Sequence, residues 1–174
     1  MSRRDRERVV QASGPEAWGA YLRERIYATF TGLAIVLVIG ISDHPESEHA
    51  FLALVLGVIG IVAAGFVSDV ISHLLTKDEM PSGEELRLFV RISGGGLSTV
   101  VTPGILFLLA WLGVLDIGHA LIASSVIYIV TLAVIARLAV RKSDLSRGMR
   151  LVVLAMLVGL GLAVIGLQVL AKSV

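Results

Sequence analysis

Polar and apolar positions in this chain come in blocks rather than alternating. A polar and amphipathic opening ends at Arg25, and long apolar runs then cover 26–41, 50–75, 86–114, 118–140 and 149–171. A bilayer core about 30 Å thick takes roughly 20 helical residues to cross. Backbone groups in lipid must bond within their own segment. Each run is therefore predicted to be a membrane helix, which gives an all-α bundle of five transmembrane helices over 26–174. The first run is short, and Leu22 with the stems of Arg23 and Arg25 is expected to extend it by snorkelling. The third run is interrupted by Gly94, Gly95 and Gly96 and again by Pro103 and Gly104. These residues disfavour a straight helix, and Ser93, Ser98, Thr99 and Thr102 are at hand for the freed backbone groups.

The first 25 residues read as a basic, amphipathic N-terminal segment. Within it Trp18, Tyr21 and Leu22 share one helical face. Aromatics beside arginines suit the headgroup region, so an interfacial helix is expected from Pro15 to Arg25. The upstream Arg-rich stretch reads as a disordered or lipid-facing tail. Further along, Ser82 and Glu85 have the spacing of a capping box, with Pro81 just before it. The third helix is thus expected to begin near Gly83, which leaves a connection of only 76–82 and no room for a soluble domain.

Composition agrees with lipid as the solvent. Apolar residues make up 56% of the chain and charged residues 17%, and mean hydropathy is +0.87. Soluble domains carry about 25% charged residues. The net charge of +1 gives no sign of a nucleic-acid partner, and the absence of cysteine removes disulfides, thiolate metal sites and thiol nucleophiles. The opening lacks the basic start and immediate apolar core of a cleavable signal peptide, so the first run is expected to be retained. An excess of arginine over lysine, with Ala, Val, Leu and Gly dominant, suggests a prokaryotic plasma membrane.

Charge placement sets an orientation. With five spans, 14 of the 15 basic residues fall on one side, and only Lys172 falls on the other. The positive-inside rule makes the basic side cytoplasmic, so the expected topology is N-in, C-out.

Chemistry is sparse. Asp69 is an acidic residue well inside an apolar run, and His73 follows it on the same helical face. Ionisable residues within membrane helices usually face the protein interior and are often functional. Ser68 and Ser72 share the neighbouring stripe with Gly60 and Ala64. One reading has Asp69 and His73 bind or relay a cation or proton, with Ser68 and Ser72 lining the region. The other has Asp69 pair with Arg91, at equal depth in the third helix, while His73 caps its helix end. Irregular backbone at Gly94–Gly96 and Pro103-Gly104 allows the same two interpretations, a transport site or a packed kink. Asp43, His44, Glu46, Glu48 and His49 read as a solvated acidic loop. No nucleophile–base pair is evident, so an enzyme is not expected, and no cofactor is implied.

Two stretches resemble the vacuolar iron transporter family. RERIYATFTGL, from Arg23 to Leu33, is similar to that family's opening R-E-x-x-x-G-x-N-D-G-L. AAGFVSDVISH, from Ala63 to His73, is similar to its A-G-x-x-S-M-x-x-x-E stretch, with Ala64, Gly65 and Ser68 matched. The five-helix layout, the glycine- and proline-bearing third helix and the short turn before the fourth also agree. Thr31 stands where the family has aspartate, and the family's long glutamate-rich cytoplasmic segment is missing. The resemblance implies a homodimer that moves a small cation, a divalent metal being a possible cargo, with Asp69 and His73 as metal or proton ligands. The alternative is a non-transporting membrane scaffold or accessory subunit built around an Asp69–Arg91 pair.

Overall fold

The structure, a computed structural model, describes residues 3–142 and the single positions 148, 152 and 159. The expected fifth span, 149–171, lies outside the described residues apart from positions 152 and 159. Among these residues every element is helical: α1 (Arg3–Gly40), α2 (Ser47–Lys77), α3 (Gly83–Leu97), α4 (Val101–Trp111) and α5 (Ile117–Lys142).

The interfacial helix and the first apolar run prove to be one continuous helix, α1, of 38 residues. The helix also takes in the Arg-rich stretch from Arg3, where a disordered or lipid-facing tail was expected. Its inward stripe is Ala17, Tyr21, Glu24, Ala28, Val36 and Ile39, with steps of three, four and eight residues that keep one face of a 3.6-residue period. That stripe packs against α2, α3 and α5, while α2 also meets α3 and α4.

α2 buries Ala50, Leu54, Val58 and Val62 at steps of four. Its other faces carry Leu52, Leu56, Ile59, Val67 and Ile71 in the open. A helix apolar all round belongs in a core or a membrane, and among the described residues this one has neighbours on one side only. Lipid is the solvent that such a surface fits. α2, with mean hydropathy 2.7, and the Ile117–Leu138 part of α5, with 2.2, are long and apolar enough to cross a membrane. The bent pair α3–α4 makes a third span if counted as one. The apolar part of α1 from Ile26 to Gly40 is only about 22 Å long at 1.5 Å per residue, because Arg23, Glu24 and Arg25 precede it.

The capping box forms as the sequence indicated. The Ser82 hydroxyl accepts from the Glu85 amide, and the Glu85 carboxylate accepts from the Ser82 amide at 2.8 Å. The break in the third run does not fall at the three glycines, which are helical. It comes after them, at Ser98–Val100, and turns the axis by 48°. The Ser98 hydroxyl donates to the Gly95 carbonyl at 2.7 Å and that of Thr99 to Gly96 at 2.8 Å. Pro103 sits in the first turn of α4, where a missing amide costs no helical hydrogen bond. At the far end Gly113 turns the chain with φ +74°, and Asp116 caps α5 by accepting from the His119 amide at 3.2 Å.

Candidate functional site

The glycines of α2 and α3 hold these helices close to α1. A Cβ on Gly95 would overlap the Tyr21 ring, and one on Gly96 would lie 2.8 Å from Val62 Cγ2 and 3.3 Å from Glu24 Cγ. On α2, a Cβ at Gly65 would lie 2.6 Å from Glu24 Oε1 and 2.7 Å from Oε2. Three helices thus meet around the Glu24 carboxylate, and the residue is only 5% exposed. No hydrogen-bond donor from the described residues reaches it. Nearby on α1, Tyr21 stacks on Trp18 with centroids 5.5 Å apart and accepts at its hydroxyl from Arg25 Nη1 at 3.3 Å.

Beside Glu24, Arg23 on α1 pairs with Asp69 on α2, Nη2 to Oδ1 3.3 Å. The expected partner, Arg91, is exposed on the outer side of α3, whose inward residues are Ile92, Ser93, Gly95 and Gly96. Equal depth along two helices therefore did not make Asp69 and Arg91 neighbours, because Arg91 points away from the bundle. One guanidinium thus stands near two carboxylates, those of Asp69 and Glu24.

His73 is held apart from Asp69. Its side chain is 8% exposed, and Nε2 lies 3.6 Å from Glu85 Oε2 on α3. The ring meets Phe89 edge-on, with centroids 6.1 Å apart. Glu85 also takes Lys77 Nζ at 2.6 Å and the Ser82 hydroxyl at 2.8 Å. The cluster clamps the end of α2 to the start of α3, whereas the cap of α2 is Asp78, whose amide donates to the Leu74 carbonyl. Ser68 and Ser72 are exposed on the outer surface of α2 and do not line the Glu24 junction.

Gly94, Gly95, Gly96, Pro103 and Gly104 also separate into roles. Gly95 and Gly96 receive α1 and α2, whereas a Cβ on Gly94 would meet open space. Pro103 and Gly104 are buried in α4. Ser93, expected to serve the broken backbone, has a buried hydroxyl with no hydrogen-bond partner among the described residues, and Thr102 is exposed. A second such place lies between α1 and α5. There the Tyr128 hydroxyl fills the space a Gly32 Cβ would need, and both it and the Ser124 hydroxyl are buried without partners among the described residues.

Glu24 is the residue that sequence reasoning missed. Read in blocks, it belongs to the charged opening, flanked by Arg23 and Arg25. Read by helical phase, the inward stripe Ala28–Val36–Ile39 extended backward lands on Glu24 and then on Tyr21. That signal was present in the chain. No group of three or more His, Asp or Glu side chains among the described residues is arranged to hold a metal ion. Comparison with protein-family models, with curated proteins and with solved structures finds no match for this chain.

Proposed function

We propose that this protein is a transporter of a small cation, the proton foremost, and that Glu24 carries the charge with Asp69 beside it. The observation behind this reading is the carboxylate of Glu24, a residue 5% exposed that no donor among the described residues reaches, at a junction of three helices closed by glycines. Burying an ionised carboxylate is costly unless it is paired, and ionisable groups inside membrane proteins mark proton and ion paths. Arg23 serves Asp69 at 3.3 Å, so Glu24 is left to take up a proton or another small cation. The hydroxyls of Ser93 and Thr99 lie on the inward side of α3 and the break, and the bend after Gly96 gives the irregular backbone found at transport sites. A proton or monovalent ion fits this chemistry better than a divalent metal, which seeks several oxygen or nitrogen ligands.

The proposal keeps the five-span bundle, N-in and C-out in a prokaryotic plasma membrane, on the strength of the charge asymmetry. Single cysteines at Ser47 and Ser143 label from opposite sides in that topology, and labelling from one side refutes it. A homodimer is also proposed. Gly60, Ala64, Ser68 and Ser72 form an exposed small-residue stripe on α2, the kind of surface that lets membrane helices approach closely. The resemblance in layout to vacuolar iron transporters supports both points.

The second reading is a membrane scaffold without transport. The pairing of Asp69 with Arg23 and of His73 with Glu85 favours it, since each group then has a structural task. Purified protein in liposomes separates the two. Protein-dependent movement of protons, sodium or potassium supports transport. If none of these, nor manganese, iron(II) or cobalt, moves across the bilayer, the scaffold stands.

A further inference from the structure

A different site lies on the outer side of α3, away from the Glu24 junction. Gly83, Leu86, Arg87, Val90 and Arg91 line a shallow groove there. Arg87 and Arg91 are one helical turn apart and exposed, and among the described residues neither has a carboxylate within ion-pair distance. Arg23, Lys77 and Arg25 are engaged instead, with Asp69, Glu85 and Tyr21 respectively. Glu84, three residues before Arg87, forms no ion pair with either arginine, and Glu85 is taken by Lys77.

Apolar side chains are open beside and beyond the arginines: Leu86 is 42% exposed and Val90 58%, and after the bend Val101 is 56% and Ile105 52% exposed. Gly94 interrupts this ridge, and a Cβ placed there would meet nothing within 4 Å. The result is two guanidinium groups, unpaired among the described residues, beside an open apolar track with a notch partway along it.

We infer that this face binds one anionic phospholipid, its phosphate between Arg87 and Arg91 and an acyl chain lying along Val90, Gly94 and Val101. The guanidinium fork matches phosphate oxygens, and its charge is permanent. Basic pockets at the membrane edge select anionic headgroups. The apolar track distinguishes a lipid from a free anion, because only a lipid gains from covering it. The inference requires the chain to sit in a bilayer but is independent of transport.

The test is native mass spectrometry of the full-length protein released from micelles holding equal amounts of phosphatidylglycerol and phosphatidylcholine. The wild type is expected to retain one phosphatidylglycerol in preference to phosphatidylcholine. At roughly a fivefold effect per arginine near an anionic surface, R87Q/R91Q should weaken retention by about 25-fold. R91Q alone should weaken it about fivefold, which keeps the test alive if the double variant does not fold. Gly94→Leu, filling the notch, should weaken it with both arginines in place. Arg137→Gln, another exposed arginine, should leave it unchanged. Equal retention of both lipids, undiminished retention in R91Q or the double variant, an unaltered Gly94→Leu, or an equal loss in Arg137→Gln would each overturn the assignment. So would displacement of the lipid by millimolar glycerol phosphate, which would mark a simple anion site.

Discussion

Arg23 reaches from α1 to Asp69 on α2, with Nη2 3.3 Å from Oδ1 and the two side chains 55% and 21% exposed. The contact ties the helix carrying Glu24 to the helix that opposes it through Gly65. It also sets the charge balance at the junction, since of two neighbouring carboxylates Arg23 pairs with that of Asp69.

A double-mutant cycle measures that contact. Arg23→Gln and Asp69→Asn should couple by about 0.5–1 kcal/mol in detergent unfolding, the range for a solvent-screened pair. Arg91→Gln with Asp69→Asn should show no coupling beyond the few tenths expected of separate sites. A coupling to Arg91 larger than that to Arg23 would invert the arrangement described for α1, α2 and α3.

The glycines of α3 should respond in opposite directions. Gly95→Ala forces a methyl against the Tyr21 ring, and overpacking of this kind costs about 1–3 kcal/mol. Gly94→Ala meets open space and should be neutral or stabilise by up to about 1 kcal/mol, the helix-propensity difference. Thermal unfolding of the two variants side by side checks the sign of each.

Asp116 gives a pH-dependent cap. The amide of His119 foremost, then that of Gly118 and the His119 ring, hold its carboxyl below the usual carboxylate value. A group depressed in the folded state contributes stability above its unfolded pKa of about 3.9, and loses it as pH falls through the lower folded value. Amide exchange at His119 and Ala120 should therefore quicken in the wild type as pH drops below about 4, after correction for intrinsic rates. Asp116→Ala should show fast exchange throughout. Equal exchange in both proteins at neutral pH would remove the cap.

His73 should behave as a fastener. His73→Ala removes its contacts with Glu85 and Phe89 and should lower stability by about 1 kcal/mol, typical of a lost aromatic contact. Any cation flux should survive in protein that remains folded. Loss of flux with unchanged stability would return His73 to the transport site.

Much of the architecture was legible because it rests on local signals. The apolar runs located α2, α3, α4 and α5, and Ser82 with Glu85 marked the first turn of α3. What sequence missed depends on rotation about each helix axis relative to its neighbours. Asp69 and Arg91 match in depth, but Arg91 points outward, so Arg23 takes the partner's place. Gly94, Gly95 and Gly96 read as a break because glycine weakens helices. In the fold two of them are contact surfaces for Tyr21, Val62 and Glu24, and packing outweighs propensity. Asp69 and His73 share a face of α2, yet different neighbours claim them. Glu24 escaped because charge type was read before helical phase.

The central claim is that the Glu24 carboxylate carries the transported charge. It is tested most directly by Glu24→Gln, which keeps the shape facing Gly65 and Gly96 while removing the charge. In liposomes holding equal amounts of folded protein, the account predicts proton- or cation-dependent flux in the wild type and a loss of at least about tenfold in the variant, as for an ionisable group on the ion path. Flux in Glu24→Gln equal to that of the wild type would contradict it.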